Sequence, residues 1–250
     1  MIDLSGRRVL VTGGSRGIGA ACCRLFAKAG ATVLVQYLAS RARAAAVLAE
    51  LKSLSGRPHA TVHCDVTRRS EIAKMFEMVA EWGGLDCLVN NAGVWVHDPL
   101  VRLDEERLEA TLSVNVVGPF LCSREAVSFL ERSADGSIVN VSSTAGQRGE
   151  PFYSAYAASK GAMISATKSW ASELAPKVRV NSVAPGWVDT DMTADALAGD
   201  AGRRIAATIP LGRVATPEDI AGPVVFLASP LARHITGEIL NVNGGSVLVG

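Results

Sequence analysis

The chain has 250 residues, 48% of them hydrophobic and only 5% aromatic, with 25 Lys and Arg against 24 Asp and Glu. This length suits one large domain, and an aliphatic, aromatic-poor interior suits buried parallel strands and their covering helices. The near balance of charge excludes a dedicated nucleic-acid binder, and apolar runs far short of the roughly 20 residues of a bilayer span exclude a transmembrane helix. The start of the chain carries no signal-peptide pattern, so a cytoplasmic protein without membrane contact is expected.

Cys22, Cys23, Cys64, Cys87 and Cys122 contain no C-x-x-C pair, and all lie in apolar patterns, so buried free thiols are expected. His59, His63, His97 and His234 have no metal-ligand spacing, and no catalytic metal is expected.

Strand and helix patterns alternate along the chain. A strand at 8–11 runs into Thr12-Gly-Gly-Ser-Arg-Gly-Ile-Gly19 and a helix at 17–29. Gly13, Gly17 and Gly19 would let the backbone turn closely around a pyrophosphate, with Ser15, Arg16 and Ile18 beside them and the helix N-terminus facing the anion. A strand at 32–37 follows, ending at Gln36 and Tyr37 with no Asp or Glu between Asp3 and Glu50. A dinucleotide site that prefers NAD places an acid there to hold the ribose. Here Arg16, Ser40 and Arg41 are candidates to receive the 2′-phosphate of NADP(H) instead. Arg43, in the helix at 41–54, reads as a solvated position.

The next strand, 61–65, ends at Asp65 and Val66 ahead of a helix at 69–82. Asp65 either accepts from the adenine amino group, with Val66 against the ring, or serves as an acid at the helix start. A strand at 85–90 leads to Asn91, Ala92 and Gly93, small enough for a cofactor to lie close, and then to Trp95. A long helical pattern at 104–132 carries Asn115. Ser143 follows the strand at 137–142, and Gln147, Tyr153 and the helix at 155–175 come next.

On that helix Tyr156 and Lys160 are four residues apart and share one face. With three tyrosines and six lysines in the chain, chance supplies only about 0.07 such pairs. A phenol beside an ammonium reads as a tuned acid/base, with the lysine lowering the tyrosine pKa. After the strand at 178–184 come Pro185, Gly186, Trp187, Val188 and Thr190. Residues 187–210, small, polar and interrupted by glycine, read as a mobile lid. A helix at 217–227 and a strand at 239–242 complete seven strands. The expectation is a single-domain Rossmann α/β fold, with a seven-stranded parallel sheet, helices on both faces and ligands at the carboxyl ends of the strands.

The glycine turn, Asn90-Asn-Ala-Gly93, Ser143, Tyr156-x-x-x-Lys160 and Pro185-Gly…Thr190 stand in the order of the short-chain dehydrogenase/reductase family, which the chain resembles over essentially its whole length. The resemblance implies that Tyr156 gives a proton to a substrate carbonyl oxygen held by Ser143. It further implies that Lys160 binds the nicotinamide ribose, and that Asn115 supports a water relay to Lys160. Pro185, Gly186, Val188 and Thr190 would meet the nicotinamide end. Segments 209–220 and 235–245 resemble those of 3-oxoacyl-[acyl-carrier-protein] reductases. They imply a 3-oxoacyl thioester or similar ketone as substrate, and acyl carrier protein as a candidate partner, with Arg124, Arg132, Lys177 and Arg179 as a basic rim. Trp95, Gln147, Tyr153 and Trp187 are the substrate-pocket candidates. The family's usual homotetramer would bury the apolar carboxyl terminus at 246–250. Two readings compete: a secondary-alcohol dehydrogenase for a sugar, steroid or xenobiotic ketone, and a non-catalytic cofactor-binding protein. The intact Asn115, Ser143, Tyr156 and Lys160 argue against the second.

Overall fold

The computed structural model describes residues 2–248. Its seven strands are β1 (Arg8–Val11), β2 (Thr32–Tyr37), β3 (Ala60–His63), β4 (Cys87–Asn90), β5 (Gly136–Val141), β6 (Val178–Pro185) and β7 (Ile239–Val242). All neighbours pair in parallel, in the order β3-β2-β1-β4-β5-β6-β7. Strand alternation divides the interior in two. Val9, Val11, Val33, Val35, Val89 and Val139 join one apolar layer, while Leu10, Leu34, Leu88 and Ile138 join the other.

Helices cover both layers. On one face lie α1 (Gly17–Lys28), α2 (Arg41–Leu54) and α9 (Pro217–Leu227), supplying Phe26, Leu51 and Val224. On the other lie α3 (Arg69–Glu81), α5 (Gly118–Leu130) and α7 (Ser154–Leu174), supplying Met75, Leu130 and Ala171. This is a single-domain Rossmann-type α/β fold. The order in which strands are added reverses between β1 and β4, which opens a crevice beyond their carboxyl ends.

The helix expected at 104–132 is not continuous. It divides into α4 (Glu105–Leu112), a π-helical turn (Ser113–Val117) and α5, with the Gly118 N–H donating to Ser113 O five residues back. The widened turn brings Asn115 inward, 1% exposed. Apolar spacing alone does not register one inserted residue. Two strands are shorter than expected: β3 ends at His63, which leaves Asp65 in a turn, and β4 begins at Cys87. The segment 187–210 holds turns and then α8 (Gly199–Ala207). α6 (Ala145–Arg148) is a short extra turn between β5 and α7.

All five cysteines are free and buried. Among the described residues no group of His, Cys, Asp and Glu is placed to hold a metal, and no helix is long and apolar enough to cross a membrane. In the carboxyl-terminal segment Val247 is buried and Leu248 exposed, and Val249 and Gly250 lie outside the described residues.

Candidate active site

The glycine turn is fixed from three sides. Gln36, at the strand end where an NAD-preferring site carries an acid, is buried, and its Oε1 accepts from Gly13 N at 2.7 Å. The Thr12 hydroxyl accepts from Asn91 N (2.9 Å) and Ala92 N (3.0 Å), while Asn91 Nδ2 donates to Thr12 O (2.9 Å). Gly13 has φ +64°, and a Cβ there would stand 3.0 Å from Ala92 Cα, so both conformation and space require glycine. Gly19 is closer still, with a Cβ only 2.3 Å from Gly13 O. Ile18 packs on the core, and Ser15 lies in the turn between β1 and α1.

These contacts draw the separate motifs together. Gly17, with φ +51°, faces Thr190, whose Cγ2 would lie 3.3 Å from an added Cβ. Gly93 opens toward Asn115 Oδ1 and Lys160 Nζ, at 3.2 and 3.5 Å from such a Cβ. Pro185 closes β6, Gly186 N donates to Val242 O, and Val188 is buried against the strand ends. A cradle lined by unsubstituted backbone, leading from a helix N-terminus to a buried lysine, fits a dinucleotide.

At the adenosine end the arginines differ from expectation. Ser40 caps α2 by accepting from Arg43 N at 3.3 Å. Arg43, read from sequence as a solvated position, forms an ion pair with Asp191, which also lies 3.6 Å from Arg16. Two guanidinium groups thus converge on one carboxylate, marking a position suited to an anion. Arg41 starts α2 exposed. The Asp65 carboxylate accepts from Thr67 N (2.9 Å) and the Thr67 hydroxyl (2.7 Å) and stands 3.4 Å from Arg68, all ahead of α3, whose start it does not cap. Val66 is buried against Gly118, and Tyr37 meets His63 edge to face.

Ser143 and Tyr156 line one cavity with Trp95, Thr144, Ala145, Arg148, Glu150, Gly186, Trp187, Met192 and Thr193. Their approach is set by α6, which crosses α7 so closely that a Cβ on Gly146 would lie 2.5 Å from the Lys160 carbonyl carbon. Adjacent serines have separate tasks. The Ser142 hydroxyl donates to Lys160 O at 2.8 Å, whereas the Ser143 hydroxyl accepts from Ala145 N at 3.1 Å and faces Tyr156.

Lys160 is buried, its Nζ donating to Val141 O at 2.8 Å and standing 5.8 Å from the centre of the Tyr156 ring. Burial lowers the Lys160 pKa to about 8. Burial also raises the Tyr156 phenol to about 12, with the Ser143 hydroxyl pulling it back and the Glu150 carboxylate adding to the rise. The expected lowering of the phenol by Lys160 is therefore not produced by these residues alone. Desolvation of the phenol sets the direction of its shift. Asn115 Oδ1 accepts from Val94 N (2.9 Å), and its Nδ2 donates to Val94 O (2.9 Å) and the Ser159 hydroxyl (3.0 Å).

The aromatic candidates sort differently. Trp95 and Trp187 line the cavity, edge to face at 5.8 Å. Tyr153 lies outside the lining and stacks on Trp95 at 4.4 Å, while Gln147 donates from Nε2 to Asn241 and is likewise outside it. Arg148, Glu150, Met192 and Thr193 escaped sequence reading because they lie in turns with no periodic signal. The proposed basic rim does not reach the cavity. Arg179 turns to Asp135 and the Leu227 carbonyl, Arg124 pairs with Glu125, Arg132 covers Phe129, and Lys177 precedes β6 at the far end of the sheet. The exposed arginine on the cavity is Arg148.

A family model described as enoyl-(acyl carrier protein) reductase matches residues 13–246. A 3-oxoacyl-[acyl-carrier-protein] reductase of Thermotoga maritima is 40% identical over 247 residues, 98% of this chain and 99% of that protein. Its namesake from Aquifex aeolicus is 40% identical over 246 residues, 98% of each chain. Among solved structures, a short-chain dehydrogenase/reductase of Brucella melitensis, titled glucose/ribitol dehydrogenase, superposes with a TM-score of 0.94 at 34% identity over 99% of both chains. A blue fluorescent protein from a metagenomic library, solved in complex with NADPH, gives 0.91 at 34% identity over 98% of this chain and 100% of that one. This chain belongs to the short-chain dehydrogenase/reductase family of oxidoreductases.

Proposed function

We propose that the protein is an NADPH-dependent reductase of 3-oxoacyl thioesters. The carrying observation is that Ser143 and Tyr156 share one cavity while Lys160 lies buried behind them, beside the opening at Gly93. NADPH, when bound, supplies the hydride to the carbonyl carbon. Gly13, Gly17 and Gly19 would hold its pyrophosphate, Asp65, Val66 and Asn91 to Gly93 would flank its adenosine and ribose, and Pro185, Gly186, Val188 and Thr190 its nicotinamide end. Arg16 and Arg43, with Ser40 and Arg41 near them, would take the 2′-phosphate in exchange for Asp191.

The carbonyl oxygen would accept hydrogen bonds from the Ser143 and Tyr156 hydroxyls, and the Tyr156 proton would pass to it as the alkoxide forms. A phenol with a high pKa is protonated at neutral pH and so is ready as a donor for reduction. Lys160 would hold the nicotinamide ribose, and Asn115 would support proton return through water. Thioester substrate and NADPH are supported by the relatives' names and by the NADPH-bound neighbour. Acyl carrier protein is the corresponding partner, with Arg148 at the rim.

A cytoplasmic homotetramer is part of the same reading. Val117 (46% exposed) and Phe120 (44%) leave apolar surface on the π-turn and α5 for a second copy to cover. Residues 187–210 would act as its lid, since Met192 and Thr193 already line the cavity. The glucose/ribitol dehydrogenase neighbour and the polar lining favour one second reading, a dehydrogenase of a sugar-like secondary alcohol.

Initial rates with NADPH and NADH, against an acetoacetyl thioester, simple ketones, diketones and sugars, separate these readings. We expect the thioester with NADPH to give the highest kcat/KM. A higher value with NADH would overturn the role given to Arg16 and Arg43, and a sugar preferred over the thioester would favour the second reading.

A further inference from the structure

Building on the thioester reading, we propose that Glu150 is a specificity-determining residue, accepting a hydrogen bond from the amide N–H of the thioester's cysteamine arm. The catalytic steps make no use of Glu150, yet its side chain lines the cavity that holds Tyr156 and Ser143. Its position is fixed. Oε2 accepts from Trp95 Nε1 at 3.3 Å, and Trp95 is held in turn by the Tyr153 stack at 4.4 Å and the edge of Trp187 at 5.8 Å.

The loop that presents Glu150 is also constrained. Gly149 has φ +78°, and Phe152 has φ +69°, a left-handed conformation that is costly for a residue other than glycine. A chain that accepts such a residue is held by its surroundings, here by Asp98 N donating to Phe152 O at 2.9 Å.

Only one oxygen of the carboxylate is used. Among the described residues Oε1 receives no hydrogen bond. Glu150 is half-buried, and burial raises its pKa against the opposing pull of the Trp95 N–H and the Arg148 charge. A partly desolvated carboxylate with a free acceptor favours a ligand that brings a donor and disfavours one that brings a second negative charge.

The substrate chemistry supplies such a donor. In a pantetheine-type thioester the first N–H beyond the reacting 3-oxo group is the cysteamine amide, separated from the thioester carbonyl by sulfur and two methylenes. Trp95, Trp187 and Met192 offer that apolar stretch a matching wall, and the exposed Arg148 marks the outward end of the cavity. Acetoacetate, which carries its carboxylate where the thioester carbonyl stands, would bring a second negative charge into the cavity that Glu150 lines.

The test compares S-acetoacetyl-N-acetylcysteamine with S-pentyl acetothioacetate, which lacks the N–H, and with acetoacetate as the anionic control. Wild-type enzyme is expected to prefer the amide thioester by about tenfold in kcat/KM, the loss of a hydrogen bond to a charged acceptor. That preference should fall toward unity in Glu150→Leu, mainly through KM, and partly survive in Glu150→Gln, with the KM for NADPH unchanged. Acetoacetate should be the poorest wild-type substrate and improve in both variants. Equal reduction of the two thioesters by wild type, or a preference unaltered in both variants, would overturn the assignment of Glu150 alone. Failure to reduce either thioester would overturn the thioester reading and this inference with it.

Discussion

Lys160, proposed to hold the nicotinamide ribose, shows how far a buried residue can depart from what stability alone would choose. Its pKa falls from 10.5 to about 8 on folding, so at pH 7 a charge is held in a site that disfavours it. The unfolded chain binds the proton more tightly, so the penalty is fully present below pH 8 and fades as pH rises toward 10.5. Lys160→Met removes the charge and leaves the Val141 carbonyl without its donor, a partial offset of about 1 kcal/mol. We predict a net gain of about 2 kcal/mol, seen as a Tm roughly 4–8 °C higher at pH 7, shrinking by pH 10. An unchanged or lower Tm at pH 7 in thermal melts would contradict this reading of the buried lysine. Tyr156, Lys160 and Ser143 were legible in the sequence because a four-residue helical spacing and an adjoining strand end are local. Glu150 and Arg148 were not, because a four-residue helix and the loop after it are too short for periodicity to show which side chains face the cavity. Arg43 was discounted for a related reason: its partner, Asp191, is distant in sequence.

Among the elements, the packing of α6 on α7 carries the greatest weight for the site. Glycine at 146 allows the two backbones to meet, and the contact holds the end of β5, with Ser143, against Tyr156. Gly146→Ala would place a methyl group 2.5 Å from the Lys160 carbonyl carbon and 2.7 Å from Gly161 N, both backbone atoms that cannot swing aside. We predict a destabilisation of about 1–3 kcal/mol in denaturant unfolding. We also predict at least a tenfold lower kcat, since a shift of about 1 Å at a reacting pair is costly. The KM for NADPH should change little, and a variant with wild-type kcat would show that this contact does not set the site. The bounds of β1, β2, α2, α9 and β7 were legible because alternation or apolar period ends there at glycine, proline, serine or a change of polarity. The π turn was hidden, because an inserted residue changes which face Asn115 occupies without interrupting the run of apolar residues.

For the whole molecule, the parallel order β3-β2-β1-β4-β5-β6-β7 places every functional segment at the carboxyl ends of the strands. This much followed from seven strands alternating with helices, since right-handed crossovers leave few other arrangements. The cavity's character did not follow, because it is assembled from the β4 end, the α6–α7 loop and the segment after β6. The account as a whole depends on Tyr156 acting as the proton donor in a dinucleotide-dependent reduction. Tyr156→Phe tests it most directly, with NADPH binding followed by fluorescence titration and turnover by NADPH oxidation with an acetoacetyl thioester. The account predicts an unchanged Kd for NADPH and a kcat lower by a factor on the order of 10² or more. A variant that binds NADPH normally and turns over at the wild-type rate would contradict it.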